Sequence, residues 1–419
     1  MIKDILILQK RELRKKSGEE YIERTVDPKK IENPMIKVII GPRRAGKSFF
    51  AMHFLRDKKF GYVNFDDERL IELDDYDELV SGVKSVYDNP KYILFDEIQN
   101  LPKWELFANR LHRQDYNLII TGSNSKLLSK ELATHLTGRH FLINIYPFSF
   151  KEYLDFEKQE LTINEIKEKL SDYLINGGFP EPLIKKIDYK EYLSNLFSSV
   201  VYKDIVKRYK VRYMQKIEDL SVYLLSNIAR EYSFNSLKKM TKIQSSHTVE
   251  KYLGYLEESF IFFSIKRFSY KVKEQLSFNK KIYCIDNGLI SSNAFIVSPD
   301  YGRLYENLVA IELKKQEMDN KLDFYYWKNS QQEEVDFVIK KGIKIEQLIQ
   351  VCYDINNLKT KEREIRALLK AGKEVKCKNL LIITNDFEGD EKLEWFGIKG
   401  KIKYIPLWKW LLEINPKHR

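Results

Sequence analysis

Cysteine is scarce in this chain of 419 residues: Cys284, Cys352 and Cys377 are odd in number and far apart. They form neither a disulfide framework nor a CxxC metal site, which points to a reducing compartment. Long apolar runs are lacking as well. Nothing approaches the roughly 18–20 apolar residues of a membrane-spanning helix. The opening MIKDILILQKRELRKK holds too short an apolar run for a signal peptide. The expectation is a cytoplasmic protein with no membrane partner. Negative charge is in deficit, since 72 Lys and Arg stand against 61 Asp and Glu and leave a net +11. That excess lies along many Lys-rich helices, so it is compatible with a polyanionic partner without singling one out. What is present is the composition of a soluble globular chain, with 43% hydrophobic and 32% charged residues. It is long enough for about two to four domains, each with its own core.

The chain is organised around IKVIIGPRRAGKS at positions 36–48. An apolar run ends at Gly41, and Gly41, Pro42, Arg43, Arg44, Ala45, Gly46, Lys47 and Ser48 fit G-x-x-x-x-G-K-[ST], with Phe49 opening the next helix. The glycines let backbone N–H groups turn inward around a β-phosphate. Lys47 brings positive charge to the β/γ-phosphates, and the Ser48 hydroxyl can ligate Mg²⁺. The N-terminus of the following helix favours the anion. ATP or ADP with Mg²⁺ is therefore the expected cofactor set.

About fifty residues on, KYILFDE ends an apolar strand in Asp96 and Glu97. Asp96 would hold Mg²⁺ through water, and Glu97 would polarise the attacking water. The adjacent glutamate points to hydrolysis rather than binding alone. Between these two motifs, FGYVNFDDERL ends in Asp66, Asp67 and Glu68, which read equally as water- or Mg²⁺-orienting acids and as a helix-capping cluster. NLIITGSN is a further strand ending in polar residues. Asn124, with Ser123 second, is the candidate γ-phosphate sensor, and a helix N-cap is the equal alternative. Arg139 in LTGR precedes the strand HFLINI and stands where an arginine finger would reach a neighbouring subunit's phosphate, which implies a homo-oligomer; a surface or ion-paired role weighs as much. Tyr21 to Arg24, just before the first strand, reads either as lying near an adenine base or as surface. Strands alternating with helices make a parallel sheet covered on both faces.

GPRRAGKS, YILFDEI, ITGSNS, LTGR and YPFSFKEYL together resemble an archaeal AAA+-type P-loop ATPase family. The chain also resembles the signal-transducing branch of P-loop ATPases. The first resemblance implies an α/β chain: a P-loop AAA+-type parallel sheet with a helical lid, a winged-helix domain and an α/β restriction-endonuclease-like C-terminal domain. The expected division is 1–148 P-loop ATPase, 149–215 lid, 216–292 winged helix and 293–419 nuclease-like.

In the lid, NGGFPEP at 176–182 breaks the helical pattern, as a nucleotide-facing loop, a hinge or a plain turn. The winged helix would present Ser246, His247, Thr248 and Lys251 on the polar face of its recognition helix, with Val249, Tyr252, Leu253 and Leu256 facing the core. Lys266, Arg267, Lys271, Lys273, Lys280 and Lys281 make its hairpin basic, so DNA is the expected macromolecular partner; packing or protein contact is the alternative use. In the last domain, Glu306 on a helix and Asp336 on a strand match two members of a PD-(D/E)XK set. The third element departs, because Gln350-Val351-Cys352 stands where Glu-x-Lys is expected. Gln350 can ligate a metal through its carbonyl, but Cys352 cannot supply a lysine's charge. A nuclease-derived domain kept for binding or packing follows. The leading expectation is a DNA-associated ATPase, with a signalling switch as first alternative and a Mg²⁺-dependent nuclease as second.

Overall fold

The computed structural model describes residues 2–70, 73–123, 138–295 and 298–414. The chain divides into two compact units. One holds residues 1–148 with 179–186 and 258–260, and the other holds the remainder.

In the first unit, five short strands form one sheet: β1 (Ile36–Ile40), β2 (Phe60–Asn64), β3 (Tyr92–Asp96), β4 (Asn117–Gly122) and β5 (His140–Asn144). Their order is β2-β3-β4-β1-β5 and every pairing is parallel. Parallel strands covered on both faces read as unbroken apolar runs rather than alternations. β1 shows this, with all five residues buried. Helix Ile2–Lys16 turns Ile2, Ile5, Leu6, Gln9 and Leu13 inward, an i, i+3/i+4 stripe that joins the core around Val38, Leu94 and Ile120. Helix Tyr76–Tyr87 is begun by Asp75, whose carboxylate accepts from the backbone N–H of Asp77 at 2.8 Å and of Glu78 at 3.1 Å.

The second unit begins with helices Phe150–Asp155 and Ile163–Asn176, each opened by a capping box (Ser149 with Glu152, Thr162 with Glu165). Helix Tyr189–Ser199 runs into a widened π-helical stretch, Val200–Lys207. Residues 214–284 then give helices Met214–Ser226, Phe234–Thr241 and Ser246–Glu258, plus three strands: β6 (Glu231–Tyr232), β7 (Phe262–Lys266) and β8 (Lys280–Cys284). The strands form an antiparallel sheet in the order β6-β8-β7.

After helix Tyr301–Met318 comes a mixed sheet of six strands. It holds β9 (Asp323–Lys328), β10 (Glu334–Lys341), β11 (Lys344–Cys352), β12 (Leu380–Thr384), β13 (Gly389–Trp395) and β14 (Ile398–Pro406), in the order β13-β14-β12-β11-β10-β9. The β11-β12 and β12-β14 pairs are parallel and the others antiparallel. The parallel crossover from β11 to β12 is made by helix Leu358–Glu374, whose Ala367, Leu368 and Ala371 pack on Val338, Leu348 and Ile382. Among the described residues, no helix is long and apolar enough to cross a membrane.

Candidate functional site

The strand order places β4 between β3 and β1, so their carboxyl ends lie side by side. Gly41 follows β1 at once, with φ 151°, and a Cβ there would stand 1.8 Å from the Ile145 carbonyl oxygen. Only glycine lets the chain turn that close to its neighbour. Gly46, at φ 93°, then opens helix Lys47–Phe54. The two glycines thus bend the segment between strand and helix into a loop around a cavity of 380 Å³.

Ser48, in the first turn of that helix, donates to Asp96 Oδ1 at 2.7 Å. The Thr121 hydroxyl at the end of β4 donates to the same oxygen, and the Tyr62 hydroxyl from β2 donates to Oδ2 at 3.1 Å. Three hydroxyls therefore grip one buried carboxylate. Burial, and after it the charge of Glu97, push the Asp96 carboxyl above its ordinary range, while the three hydroxyls pull it back.

Glu97 adopts a left-handed conformation, φ 52°, which turns its side chain away from the strand direction. Its backbone N–H donates to Thr121 Oγ1 at 3.0 Å, so Thr121 ties both acids together. Its carboxylate lies 3.8 Å from Lys47 Nζ and accepts from the Ser123 hydroxyl at 3.0 Å and from Gln99. Burial pushes the Glu97 carboxyl up, but Lys47, Gln99 and Ser123 outweigh it and hold it below its ordinary value. Lys47 Nζ also donates to the Pro42 carbonyl at 2.9 Å, and its side chain is 3% exposed. The ammonium thus sits folded across the loop, between a carbonyl and a carboxylate.

The cavity wall includes Tyr21, Arg24, Arg43, Arg44, Asp66 and Phe148, as well as Pro180, Glu181, Ile184 and Lys185. Of the three acids after β2, Asp66 faces the cavity and lies 3.6 Å from Arg43, whereas Asp67 is held by Arg69 at 2.8 Å. Tyr21 stacks on His53 at 3.8 Å between ring centroids, and Arg24 donates to the Ala45 carbonyl at 3.2 Å. Arg44 is left-handed at φ 64° and lies 3.6 Å from Glu181. The NGGFPEP loop is split: 179–186 belongs with the P-loop unit, while Gly178 N–H donates to Asp286 Oδ2 at 2.7 Å inside the other unit.

The sensor expectation at Asn124 lies outside the described residues. Ser48, Tyr62, Thr121 and Ser123 are the described hydroxyls that meet the acids. Thr121 and Tyr62 escaped the sequence reading because both sit inside apolar strand runs, where they look like core. Arg139 is exposed. β5 pairs with β1 from His140 opposite Ile36, so Arg139 lies at the amino end of the sheet. That is a full strand, about 16 Å, from the chain's own phosphate-binding loop.

Two expectations in the second unit need correction. Lys281 is not part of an exposed basic hairpin: its side chain is 3% exposed and its ammonium is surrounded by carboxylates. Gln350 does not hold its carbonyl ready for a metal, because that oxygen accepts the Asp336 backbone N–H at 3.1 Å and the amide donates to Glu364 at 2.6 Å. Cys352 is buried in the apolar core, and burial pushes its thiol up to about 12. Among the described residues, no group of three or more His, Cys, Asp or Glu forms a metal cluster. Any Mg²⁺ at Ser48 and Asp96 would complete its shell with water and a nucleotide's oxygens, which suits an ion that usually keeps few protein ligands.

This loop, with a buried lysine and two strand-end acids beyond it, defines a P-loop nucleotide-binding unit. In agreement, residues 33–154 match the family model described as an AAA domain. Residues 167–298 and 301–410 match two domains of unknown function, DUF8612 and DUF4143. The chain is 39% identical to the uncharacterized protein MJ1544 of Methanocaldococcus jannaschii, covering 97% of this chain and 94% of that one. It is 31% identical to an uncharacterized protein of Haemophilus influenzae, over 81% of this chain and 87% of the other. The chain belongs to the family of these two proteins, and its own AAA-type ATPase domain is followed by two further domains. Among solved structures, the Walker-type ATPase PABY2304 of Pyrococcus abyssi covers 63% of this chain and 92% of its own, with 16% identity and a TM-score of 0.41.

Proposed function

We propose that the protein hydrolyses ATP with Mg²⁺ and uses the nucleotide state to act on DNA. The observation that carries the ATPase reading is the pairing of Ser48 with Asp96 at 2.7 Å beside the contact of Lys47 with Glu97 at 3.8 Å, in one cavity. In this reading the ATP phosphates draw Lys47 away from Pro42 and Glu97. Ser48, and Asp96 through water, would hold Mg²⁺, which would supply charge stabilisation to the phosphates. Glu97, ionised and freed from Lys47, orients the attacking water. Gly41 to Phe49 wrap the phosphates, Ser123 or Asn124 senses the γ-phosphate, and Arg139 serves a neighbouring subunit.

The proposed division is a P-loop domain at 1–148, a helical lid at 149–215, a winged helix at 216–292 and a nuclease-like domain at 293–419. The DNA reading is supported by exposed His247 and Lys251 on helix Ser246–Glu258, with Val249, Tyr252, Leu253 and Leu256 buried beneath them. Exposed Lys266, Lys271 and Lys273 add positive charge nearby in sequence. The test is ATP turnover with and without duplex DNA at 50 and 200 mM salt. Stimulation by DNA that falls steeply with salt is expected. A chain that turns over ATP yet binds no DNA at 50 mM would leave the ATPase reading and remove the DNA one, favouring a switch that acts on a protein.

A further inference from the structure

We infer that Lys281 is the resident cation of the acidic cluster in the second unit, so that this cluster is closed by the chain's own ammonium and takes no divalent metal. Lys281 Nζ, from β8, lies 2.9 Å from Glu306, 2.5 Å from Glu334 and 3.5 Å from Asp336. These carboxylates come from helix Tyr301–Met318 and from β10, so the ammonium joins the three-stranded sheet to the six-stranded one. The Tyr283 hydroxyl donates to the same Glu306 oxygen at 2.7 Å, and the Tyr326 ring lies 5.8 Å from Nζ.

Several of the remaining oxygens are engaged within the chain. Asp336 Oδ2 accepts the Val351 backbone N–H at 2.9 Å. The Gln350 carbonyl is held by Asp336 N–H, and Glu364 is held by Gln350 and by Arg363 at 3.0 Å. Glu334 lies 4.0 Å from Lys328, which in turn meets Glu231 at 2.5 Å. An ammonium carries one charge where a divalent ion would carry two, so three carboxylates around it remain over-supplied. Burial, and then Glu306, push the Asp336 carboxyl well above its ordinary range. Burial alone would lower Lys281, but Glu306, Tyr283 and the neighbouring acids raise it well above its ordinary value. Lys281 therefore stays charged. A lysine supplied from β8 was not legible at Cys352, because the two positions are 71 residues apart (352 − 281).

The experiment compares Mn²⁺ binding to the full-length wild type and to Asp336→Asn, in the absence of nucleotide. Identical isotherms up to 1 mM are expected, because no Asp336-dependent site exists while Lys281 is in place. A wild-type site that disappears in Asp336→Asn overturns the inference. In parallel, Lys281→Met should lower Tm by roughly 10 °C, since it leaves buried carboxylates uncompensated. Lys281→Arg should keep most of that loss from appearing, and Lys281→Met/Glu334→Gln should regain part of it. A Tm for Lys281→Met within 2 °C of wild type overturns the inference. If Lys281→Met does not fold, the double variant and the wild-type metal titration still decide.

Discussion

Replacing Tyr62 by Phe isolates a single atom at the heart of the P-loop unit. Phe fills the same space, so no cavity opens, and what is lost is the hydrogen bond from the phenol to Asp96 Oδ2 at 3.1 Å. That bond ends on a buried carboxylate, where one donor contributes about 1.5–3 kcal/mol. Tyr62 favours the ionised form, so its loss lets the Asp96 carboxyl rise further. The sign follows from that. Asp96 already lies above its ordinary value, so it lends stability at low pH that is lost as pH rises through its folded value. The variant should therefore lose stability more steeply with rising pH than wild type. At 1.36 kcal/mol per pH unit, the acid limb of Mg²⁺-dependent ATP turnover should move up by about 1–2 pH units. Tm near neutral pH should fall by roughly 3–12 °C, at 2–4 °C per kcal/mol for a unit of this size. The assay is a pH–rate profile at saturating Mg²⁺·ATP, paired with thermal melts at pH 5.5, 6.5 and 7.5. An unchanged acid limb with an unchanged Tm would show that Tyr62 does not hold Asp96.

Asp286 offers a second pH test. Burial raises its carboxyl to about 6, against partners Gly178 N–H and Gly288 N–H at 2.7 and 2.9 Å. Its folded value lies above the ordinary one, so its stabilisation is full below about pH 4 and is lost as pH rises through about 6. The stability gap between wild type and Asp286→Ala should narrow between pH 4 and 7 by on the order of 3 kcal/mol, about two pH units at 1.36 kcal/mol each. Urea midpoints that run parallel across that range would refute it. Arg139→Ala, at an exposed position, should leave Tm unchanged while ATP turnover falls at least tenfold. Mixing it with Glu97→Gln should restore some turnover through a composite site, and a strict monomer in the presence of ATP would rule that out.

The parallel sheet was legible because its strands are buried on both faces and so announce themselves as apolar runs between polar helices. Ile36 to Ile40 and Tyr92 to Asp96 are the strongest of these. The loop glycines and the strand-end acids were legible because each occupies a position that chemistry restricts to a few residue types. Thr121 and Tyr62 were not, since a hydroxyl inside an apolar run declares its role only when the partner strand is placed beside it. Lys281 shows the same limit in reverse. In sequence it joins a basic stretch, yet the pairing of β8 with β7 and β6 turns it inward, towards acids that lie 25 to 55 residues further on. The last hairpin, β13 with β14, was missed altogether, although Ile398, Ile402 and Tyr404 alternate with Lys399, Lys401 and Lys403 at the period of a strand.

Whether Glu97 orients the water that cleaves ATP is decided by a single comparison. ATP binding and Mg²⁺-dependent turnover should be measured side by side for wild type and Glu97→Gln. The variant should bind ATP at least as tightly, because Lys47 loses a competing carboxylate, while turnover falls at least a hundredfold. Turnover equal to wild type would contradict that role for Glu97.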